Sequence, residues 1–162
     1  MKIMTTILLL SIFLYSSAPV LNFENHEKFK QEYNQMQRQV ENELYIERIL
    51  STLRQIESGN NYEAKGRSGE IGAYQFMPAT WNYYCQILKG QKLSIYSKEN
   101  QDAIARYKVI MLIEQGFTIE EIASFWNCGS INYAGRRGKN KKGIKYNVPK
   151  YVQKFKRIYE ST

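Results

Sequence analysis

Between residues 22 and 43 the chain is polar and charged, apart from Phe29, Tyr33, Met36 and Val40 at intervals of 4, 3 and 4. Two apolar positions per seven make a narrow helical stripe. It predicts an N-terminal extension that lies on a domain or pairs with a partner helix, outside the main core. Ile46, Ile49, Leu50, Leu53 and Ile56 follow on a broader face and predict a core helix. It closes at Ser58-Gly59-Asn60-Asn61, where Gly59 supplies the left-handed residue. Periodicity is then lost. Gly66, Gly69 and Gly72 lie among charged residues, with Tyr62, Tyr74 and Phe76 nearby, and predict a loop or short hairpin.

From Pro78 the helical pattern returns. Pro78 suits the first turn of a helix running to about Leu88. Ala103, Ile104, Tyr107, Ile110, Met111 and Ile113 mark a helix over Asn100–Gln115, ended by Gly116. Thr118-Ile-Glu-Glu121 is a capping box, and the helix it opens carries Ile119, Ile122, Ala123 and Trp126 before stopping near Gly129. Residues 135–147, rich in Gly, Lys and Asn, read as a loop. Pro149 then opens a last helix with Tyr151, Val152, Phe155 and Ile158 on one face. The pattern predicts a mainly α chain with a small loop or β region and no internal repeat.

The first residues follow a different logic. Met1–Ala18 places Lys2 before an apolar run from Ile7 to Tyr15, then the small residues Ser16, Ser17 and Ala18. That is the layout of an export signal, and the run is short for a permanent membrane span. Pro19 after the small residues is unfavourable for cleavage, so an uncleaved, membrane-tethered form stays open. The implied location is the periplasm, the cell wall or the exterior.

Length adds a bound: 162 residues hold one sizeable core. The single His, His26, leaves little room for His-based catalysis. Two Cys, Cys85 and Cys128, exclude a disulfide-dense scaffold and a multi-Cys zinc site. In an oxidising space a Cys85–Cys128 bridge is allowed, and the sequence does not decide it. The net charge of +8 is unevenly placed: residues 136–162 hold 10 basic side chains and one acidic. The preceding part is close to neutral.

Glu57 is the candidate for chemistry. It ends an apolar helical face beside the Gly-rich segment, where a carboxyl can line a cleft and stay partly desolvated. Desolvation raises its pKa, as a general acid at neutral pH requires. The competing reading is a surface Glu at a frayed helix end.

Three segments and one tyrosine extend this reading: Glu57-Ser58-Gly59-Asn60, Gly72-Ala-Tyr-Gln-Phe-Met-Pro-Ala-Thr-Trp81, Ser124-Phe-Trp-Asn-Cys-Gly129, and Tyr151 in Val148-Pro-Lys-Tyr-Val. In that order and spacing, over about residues 45–160, the chain resembles the lytic transglycosylases with the lysozyme-like fold. The resemblance implies an α+β lysozyme-like domain over 44–162, after a signal at 1–18 and a polar helical extension at 19–43. It also implies a substrate, the glycan strand of peptidoglycan, cut between N-acetylmuramic acid and N-acetylglucosamine without metal or cofactor. Glu57 would be the single acid and base, with the substrate's own N-acetyl group in place of a second carboxylate. The small specialised members associated with secretion, conjugation or phage are the implied kin, and a secretion or conjugation apparatus is an implied partner.

The same resemblance assigns substrate contacts to Ser58, Tyr74, Gln75, Asn127 and Tyr151. Ser58 would bond the carboxyl region or a sugar, or else cap its helix. Gln75 and Asn127 suit an N-acetyl amide. Tyr151 would hydrogen-bond Glu57, or merely pack. Tyr74 and Phe76 would stack on sugars, or plug the core, while Trp81 and Trp126 read as core. Ala73-Tyr74 replaces the Leu-Met of many members, and Cys128 stands where many have Ala.

Glu63 and Glu70 keep an alternative open. Either, facing Glu57 across room for a water, would make the chain a hydrolytic muramidase. A peptidoglycan-binding module without turnover is the other alternative. The basic run Arg136–Arg157 suits anionic wall polymers or a merely solvated face; for an exported chain nucleic acid is not the expected partner.

Overall fold

The computed structural model describes residues 23–140 and 143–162. The signal reading of residues 1–18 lies outside these, as do Lys141 and Lys142 of the basic run.

The extension stripe and the core stripe share one helix, α1 (Phe23–Ser58). Residues 41–45, Glu-Asn-Glu-Leu-Tyr, contain no Gly or Pro to interrupt it. The chain divides into two units between Asn42 and Glu43, within α1. In the first unit Phe29, Tyr33 and Met36 are 52, 47 and 39% exposed. The second unit is mainly helical: the end of α1, then α2 (Pro78–Lys89), α3 (Lys98–Glu114), α4 (Ile119–Cys128) and α5 (Val148–Ser161). Among the described residues no helix is long and apolar enough to cross a membrane.

Local signals set the boundaries. The Gly59 and Asn60 amides donate back to Gln55 and Arg54, and both residues have positive φ, which stops α1. Gly90 and Gly129 close α2 and α4 in the left-handed conformation. The Ser97 hydroxyl caps α3, and the Thr118–Glu121 box opens α4 in both directions. Asn147 caps α5 by accepting from the Lys150 amide.

Residues 135–147 correct the loop reading. Arg137–Lys139 and Lys145–Asn147 form an antiparallel hairpin, β1 and β2, with Lys139 opposite Lys145. All six strand residues are exposed, so no apolar alternation marked them. Its register is set locally: Asn140 accepts the Gly143 and Ile144 amides, and Tyr146 lies over Gly138.

Ile49, Leu50 and Leu53 of α1 enter a core shared with Ile104 and Val109 of α3, Ile122 of α4 and Phe155 of α5. α4 packs chiefly on α5. The Gly-rich segment is tied to this core rather than draped over it. Ile71 bridges both Lys65 and Phe76. Gln101, fully buried, accepts the Ala73 amide through Oε1 and donates from Nε2 to the Tyr62 and Ile95 carbonyls. Gly72 has a φ of 84°, and a Cβ there would come within 2.2 Å of Gln101 Oε1. Only glycine fits that approach.

Both cysteines are free, Cys85 buried and Cys128 half-buried, so the bridge left open by the sequence is not formed. Cys128 Sγ instead lies 3.8 Å from Ser124 Oγ and 3.5 Å from the Ser130 carbonyl.

Candidate active site

The end of α1, the Gly-rich segment, α2, α3 and α4 surround a cleft of about 870 Å³. Glu57, Glu70, Gln75, Lys108, Trp126 and Asn127 all line it, as do Tyr83, Met77 and Ile144. Glu57 reaches it from the last turn of α1, the end of a helix least favourable to a carboxylate. Desolvation pushes its pKa up from 4.5 to about 7. The Tyr151 hydrogen bond and the charges of Lys108 and Lys154 oppose that rise, while Glu70 adds to it.

Tyr151 stands behind Glu57. It comes from the first turn of α5, positioned by Val148, Val152 and Phe155 buried on the same helix. Its hydroxyl donates to Glu57 Oε1 at 2.5 Å. Burial, then the Glu57 charge, holds the phenol well above its ordinary pKa, so it stays a donor. Tyr151 thus fixes the carboxyl and does not itself line the cleft.

Gln75 lines the cleft in a left-handed conformation, φ 51°, unusual outside glycine. Its Nε2 donates to the Gly72 carbonyl at 2.9 Å, and its Oε1 faces Gly66. Asn127 is exposed and also lines the cleft, from the last turn of α4. The structure therefore brings Glu57, Gln75 and Asn127 around one cavity, with Tyr151 supporting the first.

Two assignments are corrected. Ser58 is used up internally: its hydroxyl donates to the Ala73 carbonyl at 2.9 Å and accepts the Asn61 amide at 3.0 Å. It clamps the helix end to the Gly-rich segment and does not line the cleft. Tyr74 borders the cleft, yet it is fully buried, so it plugs the core and its ring is not offered to a sugar. Its hydroxyl donates to Asp102 Oδ1 and accepts from Arg54 Nη1, both at 2.8 Å. Tyr62 adds a third bond, donating to the same Asp102 oxygen at 2.7 Å. This network was missed because nothing in the spacing tells which way a tyrosine between glycines points. Trp126 packs on the core as expected, half-buried against the Tyr74 and Phe76 rings, and also forms cleft wall, while Trp81 is buried.

Lys108 was also missed. It is 6% exposed in the middle of α3, with Nζ 4.0 Å from the centroid of Trp126 and 5.8 and 6.0 Å from those of Tyr84 and Phe125. A desolvated cation–π contact of this kind contributes about 2 kcal/mol. Burial still lowers its pKa from 10.5 to about 8, with Glu57 pulling the other way. The signal was available: Ile104, Lys108 and Leu112 share one face at i, i+4, i+8, which puts a lysine on a buried stripe.

Of the two other carboxylates, Glu63 is exposed and away from the cleft. Glu70 is half-buried on its wall, with Oε2 accepting the Ser68 amide at 2.9 Å. Among the described residues no three His, Cys, Asp or Glu side chains gather as a metal site. Comparison with protein-family models, curated proteins and solved structures finds no match to this chain.

Proposed function

We propose that the second unit is a lysozyme-like domain and the chain a peptidoglycan lytic transglycosylase, with Glu57 as its acid and base. One observation carries the reading. The Glu57 carboxyl, oriented by a phenol and raised to about 7 by desolvation, faces a cleft of about 870 Å³. Such a group is divided between its acid and base forms at neutral pH, as a residue that must act in both roles requires.

In the reaction, Glu57 gives its proton to the glycosidic oxygen as the bond to the muramic acid C1 breaks. The substrate's N-acetyl group stabilises the cationic centre. Glu57, now ionised, takes the proton of the C6 hydroxyl while that oxygen bonds to C1. The product is a 1,6-anhydro end, and Glu57 is returned protonated. Gln75 and Asn127, both lining the cleft, suit the amides of the bound sugars.

Glu70 on the same wall supports the alternative of a hydrolytic muramidase, in which it would hold the attacking water. Digestion of purified peptidoglycan followed by mass spectrometry decides. Muropeptides lighter by one water support the transglycosylase; reducing ends support the hydrolase. No release from folded protein leaves a binding module.

The chain's setting is part of the same proposal: an exported protein, held at the wall by its basic end and working beside a secretion or conjugation apparatus. Arg137, Lys139 and Lys145 project from the exposed hairpin, whereas Lys156 is already paired with Glu120 at 2.7 Å. Charge reversal at the three hairpin positions weakens wall binding most at low salt. A loss independent of salt refutes electrostatic retention.

A further inference from the structure

We propose that Lys108, caged by Trp126, Tyr84 and Phe125 on the wall of the cleft that holds Glu57, is a positioning residue that keeps that carboxyl able to exchange its proton. The inference rests on Glu57 being the acid and base.

The geometry is unusual for a lysine. Its stem runs through the interior and its ammonium ends over an indole face, inside the cleft lining. No ion pair among the described residues includes it. A buried cation without a bonded anion is costly to keep, and the ring faces offset only part of that cost. The charge of Lys108 is therefore not consumed by a neighbour, and it lines the same cleft as Glu57.

The groups that face Glu57 can be named element by element. Tyr151 and Lys154 come from α5, Glu70 from the Gly-rich segment and Lys108 from α3. Around Lys108 stand Tyr84 of α2 and the uncharged rings of α4, with Glu57 as the acidic group it senses. Of the two cations, Lys108 is buried and Lys154 is exposed, so solvent screens Lys154 far more. Without Lys108, desolvation would hold the Glu57 proton too firmly for release to a sugar oxygen. With it, the carboxylate left after proton transfer has a phenol on one oxygen and a cation within its field. The same charge must not be so close that Glu57 stays ionised; the absence of a direct bridge meets that condition.

The test is a titration of the free protein, followed through the Glu57 side-chain carboxyl carbon by NMR. Lys108→Met keeps an apolar stem against Trp126 and removes the charge. Its Glu57 midpoint should rise by about one pH unit, a tenfold change in ionisation ratio. Lys108→Arg should hold the wild-type midpoint. The coupling is reciprocal, so Glu57→Gln should lower the midpoint of Lys108, read at its ε-carbon. That second measurement stands even if Lys108→Met does not fold. An unmoved Glu57 midpoint in folded Lys108→Met, or an unmoved Lys108 midpoint in Glu57→Gln, overturns the proposal. Wild-type protein that releases no muropeptides sinks the transglycosylase reading instead, because these titrations need no turnover.

Discussion

Arg54 and Glu57 stand one turn apart on α1, and each anchors a polar cluster at the edge of the core. The clusters are built in opposite ways. Around Arg54 every strong group has a bonded partner: Glu47 at 2.8 Å, the Tyr74 hydroxyl at 2.8 Å, and Asp102 at 3.6 Å. Asp102 in turn accepts from two phenols. Around Glu57 only one oxygen is bonded, to Tyr151, and the nearby cation Lys108 remains unbridged. Burial pushes the pKa of both Glu57 and Tyr74 upward, but the Tyr74 phenol is fixed by partners on both sides while the Glu57 carboxyl faces open space. A cluster closed on itself holds the fold; one open to a cleft keeps a proton available.

The sharpest way to break this contrast is Glu57→Gln. Release of muropeptides should fall by about 10²–10⁴-fold, measured by mass spectrometry of digests, with binding to sacculi retained. Wild-type-like release would end the assignment of Glu57.

The same variant should be more stable. In the folded chain Glu57 keeps its proton up to about pH 7, whereas an unfolded carboxyl loses it near 4.5. Between those values the unfolded chain binds fewer protons, so this group's contribution makes wild-type stability fall as pH rises from about 4.5 to about 7. Glu57→Gln lacks that slope and should gain at most about 3 kcal/mol at neutral pH, read from denaturant midpoints.

Tyr151→Phe tests the orienting bond. Turnover should drop by about 10–100-fold, as loss of a charge-assisted hydrogen bond implies. Because that bond holds the Glu57 pKa down, the alkaline limb of kcat/KM should also move to higher pH.

Tyr74→Phe should do the reverse in kind. It should destabilise by about 1–2 kcal/mol in thermal or denaturant melts and leave that limb in place. A moved limb would show that the two clusters are not independent.

The sequence was most legible where one local rule sufficed. Thr118 to Glu121 spelled a cap, Gly59 and Gly129 sit where left-handed closure is needed, and Ile122 and Ala123 marked the buried face of α4. In α3 the helix was legible but its buried face was not: of the residues read there only Ile104 is buried, and the face turns instead through Gln101, Ala105, Lys108, Val109 and Leu112. Glu57 at the end of a core face was a legible candidate, and the chain's own geometry places Gln75, Asn127 and Tyr151 with it. Ser58 and Tyr74 misled because hydrogen-bonding capacity does not tell whether it is spent inward. Both are absorbed by partners 15 or more residues away, Ala73 for one and Asp102 for the other. Lys108 was hidden by the opposite assumption, that a charged residue in an apolar stripe looks outward. The hairpin escaped because strands exposed on both faces carry no alternation.

The contact of Gly72 with Gln101 has an effect on inheritance. A Cβ at one position would strike the amide of the other at 2.2 Å, and that amide serves three backbone groups at once. No single codon change at Gly72 keeps both the approach and the bonds. A substitution at Gly72 is therefore expected to need a compensating change at Gln101. Met77 and Tyr83 line the same cleft with side chains 41 and 61% exposed, where substitution meets far less resistance. A library aimed at the cleft should spend its randomised codons there and leave the glycine alone.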